Sequence, residues 1–251
     1  MRWPIATWRM LRAFLHALHG MAQVLLLWRY INGDSRHQRI ARWSTDMLGA
    51  LGVQVELSGH FRPGPNLLVA NHVSWLDILA IHSVCPRARF VSKSEVRHWP
   101  LIGRLVDCAE TLYLERERKR DALRVVHQIA EALRAGAMVA VFPEGTTGEG
   151  KALLPFHANL LQAAIATATP IQPAVLHYRD ARESISSAVT WVGADTLLQS
   201  IWRIASARTL RVDLYVLAPL RVDHADRRAL AQRLQQLMAA ALDQAHTKPV
   251  T

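Results

Sequence analysis

Seven short apolar runs rich in Val, Leu and Ile recur along the chain, at 53–58, 66–70, 88–92, 111–114, 137–142, 171–177 and 210–217. Each has the length and composition of a buried strand. Segments whose apolar residues recur at helical spacing separate most of them: 74–84, 117–135, 156–168, 196–206 and 225–245. Strands alternating with helices predict an α/β fold built on a mixed, largely parallel sheet. In such a sheet, functional groups gather at the carboxyl ends of strands. No internal repeat or low-complexity linker divides the chain, so a single domain is expected over 53–251, preceded by a distinct segment, 1–52.

That segment has its own pattern. Residues 3–31 read as one long helix. Arg9, Arg12, His16, His19 and Gln23 recur at spacings of three and four and form one stripe, with Leu11, Phe14, Leu15, Leu18, Leu25 and Leu26 mostly off it. No run of about 20 residues is free of charge, so a simple span is disfavoured. A helix lying in the membrane interface fits better. A short span, a signal sequence and a helix packed on the protein's own core are the alternatives. Trp28-Arg29-Tyr30 stands where a signal sequence needs small residues. Asn32-Gly33-Asp34-Ser35 is a turn, and 37–51 is a second amphipathic helix closed by Gly49 and Gly52. The two helices would make an antiparallel hairpin that anchors the domain.

Charge supports the anchor. The 251 residues carry a formal net charge of +10, with 51% hydrophobic residues and a mean hydropathy of +0.06. The balance implies an anionic partner. Residues 1–42 hold seven Arg and one Asp, together with Trp3, Trp8 and Trp28. Basic, Trp-rich and apolar together point to an anionic membrane surface. No nucleic-acid module is visible, and nucleic acid is not expected as a partner. Cys85 and Cys108 offer neither a disulfide framework nor metal spacing. They are expected reduced and buried, in keeping with a domain on the cytoplasmic face of the inner membrane. No metal or cofactor is expected.

Asn71-His72-Val73-Ser74-Trp75-Leu76-Asp77 follows the second strand. Along a regular helix, residues five apart point about 140° from each other. His72 and Asp77 can therefore meet only if His72 precedes the helix and Asp77 lies in its first turn. Ser74 suits the N-cap, which places Asp77 three residues on. Ser-x-x-Asp is also a near match to a capping box, but capping leaves His72 unexplained. The chemical reading covers all three: Asp77 fixes one imidazole nitrogen, and the other is free to take a proton from an alcohol. His72 and Asp77 are the candidate catalytic residues.

A second polar island, Phe142-Pro143-Glu144-Gly145-Thr146-Thr147-Gly148-Glu149-Gly150, follows the fifth strand. Three glycines in six residues favour a loop that offers backbone N–H groups to an anion. Read on to Lys151 and Ala152, it nearly spells a phosphate-binding P-loop. Ala152 lacks the hydroxyl for magnesium, and Pro155 interrupts the helix such a loop needs. Two cations follow other strand ends, Lys93 and Arg116. Both are placed to meet an anionic headgroup, whereas Arg118, Lys119 and Arg120 read as a solvated helix start.

Taken in order, four blocks resemble the lysophospholipid acyltransferase family. Asn71 to Asp77 is similar to its first block, Tyr113-Leu114-Glu115-Arg116 to its second, Phe142 to Thr146 to its third, and Ile171-Gln172-Pro173-Ala174-Val175 to its fourth. The resemblance covers about 50–220. It implies a glycerolipid-acyltransferase-like domain in which His72 deprotonates the free hydroxyl of a lysolipid. That hydroxyl attacks the thioester of acyl-CoA or acyl carrier protein. It further implies that Glu144, Gly145 and Thr146 bind the acceptor headgroup and that Arg116 pairs with its phosphate. The leading expectation is acylation of 1-acylglycerol-3-phosphate to phosphatidate. One departure bears on the acceptor: many phosphatidate-forming members carry Arg where this chain has Thr147. Lys151 is the candidate replacement. Ser92-Lys93-Ser94-Glu95 and Glu115-Arg116-Glu117-Arg118 also look like members that acylate lyso-ornithine lipid, the alternative acceptor. A third reading keeps the fold without the chemistry, as a basic membrane-binding protein.

Overall fold

A computed structural model describes residues 3–99, 102–114, 119–193, 195–222 and 226–247. Its strands are β1 (Val53–Ser58), β2 (Asn66–Ala70), β3 (Ala88–Lys93), β4 (Leu112–Leu114), β5 (Met138–Val141), β6 (Ile171–Arg179) and β7 (Leu210–Val216). They form one sheet in the order β1-β7-β6-β2-β5-β3-β4. Every neighbouring pair is parallel except β6 with β7. The mixed, largely parallel α/β sheet expected from the sequence is thus present, and each apolar run supplies a strand.

Helices cover both faces. On one side lie α2 (Gly33–Leu51), α3 (Leu76–Val84) and α7 (Leu197–Ser206), packed through Leu48, Leu51, Leu76, Ile81 and Ile204. On the other lie α5 (Lys119–Arg134), α6 (Gln162–Ala166) and α8 (Arg227–His246), packed through Ile129, Leu133, Ala163, Leu234 and Met238. A short helix, α4 (Ile102–Cys108), precedes β4 and has no counterpart in the sequence reading. β2 is buried at all five positions and sits between β5 and β6. Strands covered on both faces read as continuous apolar runs, which is why β2 shows no alternation.

The amino-terminal helix α1 (Trp3–Leu27) lies outside this layer, antiparallel to α2. Arg36 donates to the Trp28 carbonyl at 3.0 Å near the turn, and His16 meets the Trp43 carbonyl at 3.0 Å further along. Gly20 is required there, since a Cβ on it would stand 2.3 Å from Trp43 Nε1. The helix meets the protein through Ala6, Ala13, Gly20 and Met21, while Trp3, Trp8, Phe14, Leu15, Leu25 and Leu26 face outward. Its polar stripe is not simply a solvent face. Arg9 donates to the Ala205 and Ala207 carbonyls at 3.0 and 2.8 Å, closing the end of α7. Over Trp3–Tyr30 the chain is long and apolar enough to cross a membrane. Leu48 and Leu51 of the second helix belong to the same core as β1 and β2. Cys85 is buried as expected, whereas Cys108 is only half-buried, and both are free thiols.

Candidate active site

The carboxyl ends of β2 and β5 lie side by side, with Val69 paired to Val141. Both polar islands therefore leave the sheet at the same edge. Asn71 continues the strand by its side chain: Oδ1 accepts the Leu176 N–H at 2.7 Å and Nδ2 donates to the Leu176 carbonyl at 3.0 Å. The main chain is released from the ladder at that point and turns into the His72 segment. α3 begins at Leu76, so Asp77 is its second residue.

His72 Nδ1 lies 2.7 Å from Asp77 Oδ2. A carboxylate only accepts, so Nδ1 carries the proton and Nε2 is the basic nitrogen. The ring stacks on Phe142 at a centroid distance of 4.0 Å and an interplanar angle of 9°. It remains 20% exposed while Asp77 is wholly buried, so a substrate can reach the imidazole but not its partner.

Asp77 does more than orient the ring. Its Oδ2 also accepts the N–H groups of Val73 and Ser74 at 2.7 and 2.9 Å. Both donors lie in the turn that leads into α3, ahead of its first residue, Leu76. The expected cap is therefore not formed. Trp75, not Ser74, is the N-cap and makes no side-chain cap bond, and the buried Ser74 hydroxyl has no hydrogen-bond partner among the described residues. The physical reason is that one carboxylate oxygen in this turn reaches both N–H groups and the imidazole together.

Glu144 joins the islands. Oε1 accepts the His72 N–H at 2.8 Å and Oε2 accepts the Leu154 N–H at 2.9 Å. Burial, partly offset by those two donors, holds its carboxyl above the usual range. The Gly148 N–H adds a 2.7 Å bond to the His72 carbonyl. Gly145 takes a left-handed conformation, φ +67°, and its N–H closes the turn on the Phe142 carbonyl. Gly145 and Gly148 thus direct their N–H groups inward rather than toward an anion. Thr146 is exposed at the tip.

The cations are arranged less tightly. Lys93 ends β3 on the same edge of the sheet and is exposed. Lys151 is exposed and pairs with Glu149 at 2.7 Å, which raises its pKa. Its ammonium is a point charge and does not reproduce the bidentate fork of the missing arginine. Thr147 turns its hydroxyl to the Trp191 carbonyl, and so ties down a neighbouring loop. Arg116 lies outside the described residues. Tyr178, which the sequence reading passed over, donates to Asp77 Oδ1 at 2.7 Å. The only signal for it was an aromatic residue at the end of a strand beside β2.

A part-exposed imidazole held by a buried carboxylate at the carboxyl edge of a parallel sheet is the arrangement expected of a general base. The comparisons are specific. A family model described as Acyltransferase matches residues 52–177, and the chain belongs to that family. It is 37% identical to a lyso-ornithine lipid O-acyltransferase of Pseudomonas aeruginosa, over 82% of this chain and 79% of that protein. It is 33% identical to a 1-acyl-sn-glycerol-3-phosphate acyltransferase of Neisseria meningitidis, over 83% and 82%. The fold matches the crystal structure of the 1-acyl-sn-glycerophosphate acyltransferase PlsC of Thermotoga maritima. The TM-score is 0.76 at 18% identity, covering 100% of this chain and 98% of that one.

Proposed function

We propose that this acyltransferase esterifies the free hydroxyl of a lysolipid, with acyl-CoA or acyl carrier protein as donor. The carrying observation is the His72 Nδ1 to Asp77 Oδ2 bond of 2.7 Å, which leaves Nε2 of a part-exposed ring to face substrate. Nε2 takes the hydroxyl proton as the oxygen attacks the thioester carbonyl. The C–S bond breaks, and the departing sulfur regains the proton from the imidazolium. Asp77 stabilises that imidazolium, as in a triad whose nucleophile is the substrate itself. Glu144, with both oxygens held by backbone donors, acts as a clamp between the islands. Gly145 and Thr146 border the headgroup, with Lys93 and Arg116 as its electrostatic partners. The decisive test is His72→Ala, assayed with radiolabelled acyl-CoA. Loss of transfer with intact vesicle binding supports the reading, and wild-type transfer rejects it.

1-Acylglycerol-3-phosphate remains the first acceptor to test, as in the Neisseria relative. Lyso-ornithine lipid is favoured by a specific observation: Thr147 turns its hydroxyl to Trp191, and Lys151 is only an exposed point charge, so neither supplies bidentate recognition of a phosphate. Offering both lysolipids with one acyl-CoA and identifying the products by mass spectrometry separates them.

We assign membrane attachment to α1, whose large apolar side chains face away from the protein. The catalytic edge would work on the cytoplasmic face of the inner membrane, where acyl thioesters are made.

A further inference from the structure

The Asp77 carboxylate is loaded from two sides. Oδ2 accepts three donors, from His72, Val73 and Ser74. Oδ1 accepts one, the Tyr178 hydroxyl at 2.7 Å. Those three lie within five residues of Asp77 and belong to its own turn. Tyr178 comes from β6, 101 residues away, and fixes the other end of the carboxylate to the sheet. It is 3% exposed and sits behind Asp77, out of reach of substrate. Phe would fill the same space, so packing does not account for the hydroxyl.

We propose that Tyr178 is a positioning residue for acyl transfer, one whose hydroxyl fixes the rotation of the Asp77 carboxylate and moderates the negative charge it presents to His72. This rests on the general-base reading of His72. A donor on one carboxylate oxygen withdraws charge from the other, so the Oδ2 bond to the imidazole is weaker with the tyrosine than without it. Rotation follows from geometry. Three bonds converge on one oxygen, and only the fourth, on the far oxygen, fixes the carboxylate plane. The phenol keeps its proton throughout: burial first, then the charge of Asp77, hold its pKa well above the usual value. It is a donor at every working pH.

The test is Tyr178→Phe in the full chain on vesicles, with lysophosphatidic acid and lyso-ornithine lipid as acceptors and oleoyl-CoA as donor. The expected result is a roughly tenfold lower kcat with both KM values within about twofold, the signature of an interaction that matters in the transition state. The acid limb of the kcat/KM profile should move to higher pH, because the undiluted carboxylate favours the imidazolium. Placing 3-fluorotyrosine at position 178 keeps the shape and makes a stronger donor, so the limb should move to lower pH. Wild-type kcat with an unmoved limb in Tyr178→Phe overturns the proposal. Lower kcat with an unmoved limb also overturns it, since that is a structural effect alone. Should Tyr178→Phe fail to fold, the fluorinated protein decides by the same shift. Activity that survives His72→Ala removes the general-base reading itself, an outcome distinct from a silent Tyr178→Phe in an enzyme that does need His72.

Discussion

Glu144 Oε1 accepts the backbone N–H of His72 at 2.8 Å, so the position of the proposed general base depends on a carboxylate 72 residues further along the chain. The other oxygen holds the Leu154 N–H, and the glycine turn is thereby fastened to the His–Asp segment. Glu144→Gln should break this clamp, because an amide nitrogen would face one of two buried backbone donors. An unmet buried donor costs about 1–3 kcal/mol. In a chain of this size that lowers the melting temperature by roughly 2–4 °C per kcal/mol. Transfer should fall by more than about tenfold because the base is displaced. Thermal melts and an acyl-transfer assay check both effects, and a variant unchanged in either leaves Glu144 without this role.

Asp77→Asn tests the pair from the other side. Asparagine keeps the size but meets the donors of His72, Val73, Ser74 and Tyr178 with one oxygen and one NH2 group. With its oxygen toward His72, Val73 and Ser74, the amide turns its NH2 on Tyr178, whose hydroxyl must then accept, and the imidazolium loses the negative charge that stabilises it; flipped, the amide reverses the imidazole tautomer and puts the proton on Nε2. Transfer should drop by about 10²–10⁴-fold, the share general-base catalysis usually carries. Vesicle sedimentation should not change. Turnover within a factor of three of wild type would argue against an oriented imidazole.

The strands were legible because each is a compact apolar run, and strand alternation with helices carried the fold class. His72 and Asp77 were legible because one short motif holds both. Their supports were not, because Tyr178 and Asn71 find their partners 101 and 105 residues away, through strand pairing that local pattern does not encode. α4 (Ile102–Cys108) was missed because seven residues give too little periodicity to register. For α1, the pattern marked two faces correctly but could not tell which met the protein. Small residues and docked polar groups decided it.

The outward face of α1 should carry membrane binding. Fully burying one large apolar side chain contributes about 1.5–3 kcal/mol, on the order of tenfold or more in partition. Replacing Trp8, Phe14, Leu15 and Leu26 by Ser leaves the docked Ala6, Ala13 and Gly20 untouched. Deleting residues 1–52 would be a poorer test, because Leu48 and Leu51 belong to the core. The fourfold variant should stay folded by circular dichroism and leave anionic vesicles on sedimentation. Unchanged co-sedimentation would place attachment elsewhere.

His82 sets a pH limit on the fold. It is 3% exposed in α3, its ring lies 5.0 Å from Phe90, and neither ring nitrogen has a hydrogen-bond partner among the described residues. Burial, reinforced by nearby His37, pushes its pKa down to about 4 from the ordinary 6.5. Between those two values the unfolded chain binds a proton that the native state does not. Stability therefore falls as pH falls through that window, by about 3 kcal/mol in all. His82→Leu removes the titrating group and leaves no polar atom unpaired. Its melting temperature should match or exceed wild type near pH 7.5, and the gap should widen by roughly 5–10 °C on going to pH 4.5. Melting curves of the two proteins across that range settle it: a gap that stays constant with pH would mean that His82 takes up its proton as readily in the native protein as in the unfolded chain.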